Sequence, residues 1–192
     1  MPSIPALNEP LVDRCAVVRD GAERDIPEVL IAHQDDPEMH VLLGEERTPT
    51  GAELGRRAEG ERGERIAGTA ATLTILEPGS DVCRGQIYIH HLDWDHARAE
   101  LGIWVAPQAR GRGLGRGALR LVSCWLLRDC GIERVALVTA IHNEPMRRAG
   151  RGAGFREEGV LRAHLRERGR RVDAAVLSLV RRDLEGGCGT GA

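Results

Sequence analysis

The sequence predicts a single domain of the α/β (α+β) class, and three observations lead to that prediction. The 192 residues are enough to enclose one hydrophobic core of ordinary size. Segments with the alternating or continuous apolar residues of strands are interspersed with segments whose apolar residues recur at helical spacing. The run 134–140 is short and almost continuously apolar, which is typical of a buried strand in a parallel sheet.

The elements are expected in the order β-α-α-β-β-β-α-β-α-β-β, within one domain that spans residues 11–183. The predicted strands are 11–19, 65–76, 82–92, 97–105, 134–140, 155–166 and 171–179. The predicted helices are 26–33, 50–62, 113–130 and a short one from 143 to 153. The three prolines of residues 1–10 predict a flexible leader, and the glycine-rich residues 184–192 predict a disordered tail.

A glycine-rich loop connects the strand 97–105 to the long helix 113–130. Its glycines leave the backbone open to a ligand, and they are Gly111, Gly113 and Gly115. The N–H groups of such a turn and of the helix N-terminus can converge on one anion. Three arginines add permanent positive charge, and they are Arg110, Arg112 and Arg116. Together these residues predict a site for a diphosphate.

Three kinds of anion-binding loop compete here with a plain surface turn. A Walker loop is excluded because it requires a lysine, and all 27 basic residues are arginines. Residues 113–118 also match the glycine pattern of a dinucleotide-binding loop. That loop ordinarily lies in the first strand–helix unit of a domain and is followed by an acidic residue about 20 positions later. Here the loop lies past the middle of the chain, and Glu133 is a poor candidate for that acid. The third kind of loop binds a pyrophosphate and has the pattern Arg/Gln-x-x-Gly-x-Gly/Ala, which Arg110, Gly113 and Gly115 match.

Charge is divided unevenly along the chain, whose net charge is −2. Residues 1–100 hold 10 arginines and 20 acidic residues, whereas residues 101–192 hold 17 arginines and 9 acidic residues. This asymmetry suits an anionic cofactor bound near an acidic half that attracts amines, although neutralisation between the halves explains it equally well. Nucleic acid is not expected as a partner, because only five aromatic residues exist for stacking.

The cysteine pattern and the N-terminal segment predict a soluble, cytoplasmic protein. The five cysteines show neither C-x-x-C spacing nor an even framework, which indicates reduced thiols. The N-terminal segment lacks the pattern of a secretory signal, and no apolar run reaches the length of a membrane span, so no membrane partner is expected.

Four segments in this order resemble the GCN5-related N-acetyltransferase (GNAT) superfamily and together cover roughly residues 11–182. They are 99–107, the loop 110–119, the stretch from His142-Asn143 to Glu157-Glu-Gly159, and Leu161-Arg162 with Asp173. The spacing from Asn143 to Phe155 most resembles the RimJ/RimL-like subfamily, which acetylates the N-termini of ribosomal proteins. The resemblance implies a mixed sheet of six to seven strands, with helices on both faces and a splayed central pair of parallel strands.

The same resemblance implies acetyl-CoA as cosubstrate, with no metal ion. The pantetheine arm would lie as a pseudo-strand along Ile103, Trp104 and Val105. The pyrophosphate would lie on the loop, against Arg110, Gly111, Arg112, Gly113, Leu114, Gly115 and Arg116. Asn143 would hydrogen-bond the pantetheine arm, although N-capping of the next helix is an ordinary alternative role for this residue type.

Glu100 is the candidate general base, because it lies on the strand that precedes the loop. A solvent-facing glutamate on a strand is the alternative. No general acid is evident, since Met146 occupies the position where the subfamily commonly has a serine. The possible substitutes are His90, His91, His96 and His142. Adjacent strand residues such as His90 and His91 are expected to face opposite sides, which argues against a metal set.

These observations predict an N-acetyltransferase that acts on a primary amine, with a protein N-terminus as the leading acceptor. A small amine such as an aminoglycoside antibiotic is the alternative acceptor, and a homodimer is compatible with the resemblance. A non-catalytic acyl-CoA-binding module is a hypothesis from another class, and a dinucleotide-dependent oxidoreductase is a more distant one. The expected partners are therefore CoA and an amine.

Overall fold

A computed structural model describes residues 3–186 as an eight-stranded sheet with five α-helices. The strands are β1 Leu11–Val12, β2 Val17–Asp20, β3 Ala71–Leu76, β4 Gly85–Asp93, β5 Arg98–Val105, β6 Arg134–Ala140, β7 Arg156–Glu167 and β8 Arg170–Val180. The helices are α1 Ile26–Asp35, α2 Met39–Leu42, α3 Gly51–Ala67, α4 Leu114–Asp129 and α5 Glu144–Gly152. The strand order is β1-β2-β3-β4-β5-β6-β8-β7, so the mixed α/β class is confirmed.

The strand count exceeds the expected six to seven because the predicted strand 11–19 is a hairpin of two short strands. The Asp13 carboxylate accepts hydrogen bonds from the N–H groups of Cys15 and Ala16, at 2.6 and 2.8 Å. This turn reverses the chain, so that Leu11 pairs with Val18 across the hairpin. A side-chain hydrogen bond of this kind competes with a continuous strand.

The predicted strand 65–76 starts too early, because its first residues belong to helix α3. Thr50 and Glu53 form a capping box at the start of that helix: the Thr50 hydroxyl accepts from the Glu53 N–H, and the Glu53 carboxylate accepts from the Thr50 N–H. The helix ends at Gly68, which adopts the left-handed conformation with φ 68°. The short helix α2 was not predicted, because four residues show no periodicity.

Helices cover both faces of the sheet, as its two hydrophobic clusters show. One cluster joins Ile87 and Leu101 of the sheet to α4, and the other joins Trp104 and Tyr88 to α1 and α3. Because neighbouring strand residues face opposite sides, Ile87 and Tyr88 belong to different faces. The structure thus confirms a layered fold with helices on the two sides of one sheet.

A buried ion pair fixes the start of α1. The Asp25 carboxylate accepts two hydrogen bonds from the Arg19 guanidinium, at 2.7 and 2.9 Å, and one from the Thr74 hydroxyl, at 2.6 Å. Burial by itself would raise the pKa of Asp25, but the hydrogen bonds from Arg19 and Thr74 outweigh it and hold that pKa below its ordinary value. The pair therefore ties α1 to strands β2 and β3.

The described part of the expected leader is held against the domain. Ile4 is buried and its N–H donates to the Arg65 carbonyl at 3.1 Å, while the Leu7 N–H donates to the Asp20 carboxylate. At the other end, residues 184–186 complete a 3₁₀ segment, Arg181–Gly186, and the remainder of the expected tail lies outside the described residues.

Among the described cysteines, Cys15, Cys83 and Cys130 carry free thiols. Within residues 3–186, none of the helices is long and apolar enough to cross a membrane.

Candidate functional site

Strands β5 and β6 are parallel neighbours that separate part-way along their length. They pair at three positions only, of which Glu100 with Ala136 is the last. Beyond that pair β5 continues to Val105 and β6 to Ala140, so the facing edges of the two strands diverge. The splayed parallel pair that the sequence resemblance implies is therefore present.

The open edge of β5 presents backbone groups of Ile103 and Val105. The Ala106 N–H donates to the Arg84 carbonyl at 2.8 Å, so the backbone at this residue faces β4. Successive residues of a strand direct their N–H and C=O groups to alternate edges, so those of Val105 and Ile103 face the gap instead. The Val105 carbonyl already accepts from the Arg110 Nε, so an extended chain of amides inserted here would pair with the Val105 N–H and with the backbone groups of Ile103.

Trp104, which the sequence places on the cofactor edge, contributes neither backbone nor side chain to the gap. Its backbone faces β4, where it pairs with Gln86. Its ring is buried, and its Nε1–H donates to the Tyr88 hydroxyl at 3.1 Å. Burial raises the pKa of Tyr88 to about 12, so this hydroxyl stays protonated in the core.

The glycine-rich loop follows directly from β5 and ends at the N-terminus of α4. Gly113 is the residue before the helix and has φ 87°, a left-handed conformation that strongly favours glycine. The first intrahelical bond runs from the Gly117 N–H to the Gly113 carbonyl, so the N–H groups of Leu114, Gly115 and Arg116 have no acceptor within the helix. The loop thus presents converging N–H donors and the positive end of a 16-residue helix.

All three loop arginines contact other parts of the protein, Arg116 through a terminal nitrogen that lies 3.9 Å from the Cys15 Sγ. The Arg110 Nε donates to the Val105 carbonyl at 2.9 Å, and its terminal nitrogen donates to the Asp36 carboxylate at 2.5 Å. Arg112 donates to the Glu77 carboxylate at 2.7 Å. Arg116 is exposed on the first turn of α4. Of these side chains, that of Arg110 fastens the end of β5 to the segment after α1.

Asn143 is the N-cap of helix α5, which follows β6. Its side-chain oxygen accepts from the Met146 N–H at 3.2 Å, so the ordinary capping role is present. The Asn143 amide nitrogen is not used in that bond. Met146 itself packs against the main core, so the position where the subfamily carries a serine holds an apolar side chain.

Glu100 lies at the point where β5 and β6 begin to separate, and two histidines surround it. His90 is its cross-strand partner on β4. His91 contacts Glu100 through Nδ1, which is 3.2 Å from the carboxylate oxygen. One metal-ligating atom of each of the three residues lies within 4.8 Å of the others. Burial lowers the pKa of His90, although the charge of Glu100 opposes that effect.

The expectation that His90 and His91 face opposite sides is wrong, because a β-bulge interrupts the pairing between His90 and Asp93. His91 adopts a left-handed conformation, with φ 47°, which turns its ring towards the side of the sheet that carries His90. The two imidazole rings meet edge to face, with centroids 4.6 Å apart. Sequence periodicity gives no sign of a bulge at this position.

The other two candidate histidines lie apart from this cluster. His96 hydrogen-bonds the Asp93 carboxylate at 3.0 Å. His142 follows β6 and its Nε2 lies 3.1 Å from the Glu167 carboxylate. His142 and Glu167 line an open cleft of about 680 Å³ between α2 and the β7–β8 turn, where Arg168 pairs with Glu38. Sequence reasoning did not predict this cleft, because its walls come from distant segments.

Comparison with known proteins identifies the family. A family profile described as an acetyltransferase (GNAT) domain matches residues 17–156, most of the chain. The chain belongs to the GNAT acetyltransferase family. It is 35% identical over 112 residues to the Bacillus subtilis (strain 168) protein named "Putative ribosomal N-acetyltransferase YdaF", an alignment that covers 58% of this chain and 60% of that relative. The chain thus matches about three-fifths of the length of this GNAT relative.

Two solved structures share the fold at low sequence identity. Mycobacterium smegmatis RimJ in complex with CoA-disulfide matches with a TM-score of 0.78 and 22% identity, covering 92% of this chain and 88% of that one. Vibrio cholerae spermidine N-acetyltransferase in complex with CoA and spermine matches with a TM-score of 0.76 and 17% identity, covering 89% and 98%. At these identities the two structures demonstrate the fold alone.

Proposed function

We propose that this GNAT protein transfers the acetyl group of acetyl-CoA to a primary amine. The observation that carries the proposal is the gap between β5 and β6, which opens after Glu100 and leads along Ile103 and Val105 to the glycine-rich loop. The pantetheine arm, a chain of amides, suits the open β5 edge. The diphosphate suits the free N–H groups at the start of α4. The two solved neighbours with bound CoA support the same cosubstrate.

In this proposal Glu100 accepts the proton that the attacking amine loses. It lies where the strands separate, beside the end of the gap in which the thioester would lie. The neutral amine nitrogen bonds to the thioester carbon, the C–S bond breaks, and CoA leaves as thiolate, which water protonates. A backbone N–H of the open β5 edge polarises the carbonyl oxygen. Met146 supplies no proton, so the leaving thiolate depends on its own low basicity.

The proposed acceptor is the N-terminus of a protein. An α-amine has a pKa of about 8, so roughly a tenth of it is already neutral at pH 7, whereas a lysine amine of pKa about 10.4 is almost wholly protonated. The name of the YdaF relative supports this acceptor class. The cleft beside His142 is wide enough at the surface for a chain end, and its charged lining balances the carboxylates Glu38 and Glu167 with two arginines.

Cofactor binding is tested by reversing one charge at the start of α4. Arg116→Glu places a negative charge beside the presumed diphosphate, while an acidic residue in the first turn of a helix favours its folding. We expect the Kd for CoA to rise at least tenfold with no loss of thermal stability. Arg62→Glu makes the same change of charge on an exposed position of α3 and should leave the Kd unchanged. Equal Kd values for the two variants would overturn the cofactor site.

The acceptor is tested with a panel of amines at fixed acetyl-CoA, by following free thiol release. Peptides with free N-termini should be acetylated, and the same peptides with blocked N-termini should not. Turnover with an aminoglycoside or a polyamine but with none of the peptides would replace the proposed acceptor by a small molecule. CoA binding without turnover of any amine would indicate a binding module.

A further inference from the structure

We propose that His90, His91 and Glu100 form a binding site for a divalent transition-metal ion of the Zn²⁺ type. Two imidazoles and one carboxylate are a recognised ligand set for zinc sites that keep one position open. His90 and Glu100 are cross-strand partners, and the bulge at His91 brings the His91 ring to within 4.6 Å of the His90 ring. No ion is present in the structure, and the proposal rests on the geometry of the side chains.

The positions of the donor atoms fit such an ion after a small movement. A tetrahedral ion with bonds of about 2.1 Å holds its ligand atoms about 3.4 Å apart. The His91 nitrogen and the Glu100 oxygen are already 3.2 Å apart, and all three donors lie within 4.8 Å. The His91 side chain is 76% exposed, so its ring can move without displacing the core.

No side chain from position 102 covers the His90 ring. Gly102 lies beside His90, and even a Cβ atom at that glycine would be 3.5 Å from the His90 Nε2. The absence of a side chain there keeps the His90 ring accessible from the neighbouring strand. His96 provides an internal comparison, because its side chain is 73% exposed and pairs with one carboxylate, that of Asp93. This pair offers two ligands, whereas the cluster around Glu100 offers three.

Occupation of this site has a consequence that rests on the proposed function. A carboxylate that ligates a metal ion cannot accept a proton from an amine, so the bound ion would inhibit acetyl transfer. Metal binding itself does not depend on Glu100 being a base. The two statements can therefore fail separately, and the experiment measures them separately.

Metal binding is measured on the full chain without CoA, by competition between the protein and a chromogenic Zn²⁺ chelator. We expect His91→Asn and Glu100→Gln each to weaken Zn²⁺ binding at least tenfold, and the matched control His96→Asn to leave it unchanged. Asparagine is chosen because it tolerates the left-handed backbone at position 91. Thermal melting confirms that each variant is folded. If His91→Asn does not fold, Glu100→Gln still decides the test, because it leaves the left-handed residue at position 91 unchanged.

Substitution of Co²⁺ gives a second readout, because its visible absorption reports coordination by protein ligands. An unchanged Zn²⁺ affinity in both His91→Asn and Glu100→Gln, or an equal loss in His96→Asn, overturns the metal site. Inhibition is then measured as the ratio of rates with and without Zn²⁺ for each variant. Since CoA thiol binds Zn²⁺ equally in all samples, only a difference between variants counts. If Zn²⁺ binds as expected but the wild-type rate is the same with and without Zn²⁺, the metal site is upheld and the role of Glu100 as the base is refuted.

Discussion

Arg110 offers a test in which two interpretations predict opposite signs. If its guanidinium binds the diphosphate directly, Asp36 competes with the ligand, and Asp36→Asn should tighten CoA binding. If Arg110 acts as a strut between Asp36 and the Val105 carbonyl, Asp36→Asn loosens the end of β5 and weakens binding. Because the structure shows both strut contacts, at 2.5 and 2.9 Å, we expect weaker binding.

The expected magnitude is modest because the Arg110 side chain is 47% exposed. A partly exposed hydrogen-bonded ion pair contributes on the order of 0.5–1 kcal/mol, which corresponds to about a two- to fivefold increase in Kd. Titration calorimetry with CoA measures this change in Kd, and the control Asp81→Asn removes an exposed carboxylate whose ion-pair partners are Arg19 and Arg24 and not Arg110. The double variant Arg110→Ala/Asp36→Asn should bind no worse than Arg110→Ala alone. Tighter binding by Asp36→Asn would refute the strut.

Three further outcomes are expected. Asp25→Ala should lower the free energy of unfolding by about 3–5 kcal/mol, because it leaves the buried charge of Arg19 with only the exposed carboxylate of Asp81, whose own removal should cost less than about 1 kcal/mol. Since folding lowers the pKa of Asp25, the contribution of its charge to stability is complete above the unfolded-state pKa of about 3.9 and is lost as pH falls through the folded-state pKa. Denaturant unfolding should therefore show that the free energies of unfolding of wild type and variant differ at neutral pH and converge at acid pH. Glu100→Gln should reduce kcat by about 10²–10⁴ with CoA binding retained, and the loss should shrink at high pH, where the amine is already neutral; a wild-type rate at pH 7 would contradict its role. Gly113→Val should lower the melting temperature, because φ 87° strains a β-branched residue, whereas an unchanged melt would show that the loop can relax.

Local chemistry explains why most elements were predictable. The strand 134–140 was predicted with the bounds of β6, and the predicted helix 113–130 differs from α4 by one residue at each end. Such patterns depend on apolar spacing, glycines and caps that act within a few residues. The short turn at Asp13 and the end of α3 were missed, because a single side-chain hydrogen bond or a few extra helical residues barely alter the periodicity.

The sequence by itself determined the family, through four segments in a fixed order along the chain. It also determined the strand–loop–helix unit around Gly113 and the candidate base Glu100, because these depend on residues close together in the chain. Only the tertiary structure decided which groups meet at that unit. The partner of Arg110 lies 74 positions away at Asp36, and the contact of His91 with Glu100 accompanies a bulge in the pairing of β4 with β5. The backbone direction at a bulge and the choice of ion-pair partner depend on contacts between segments that are distant in the chain. The periodicity of apolar residues along the chain does not predict such contacts.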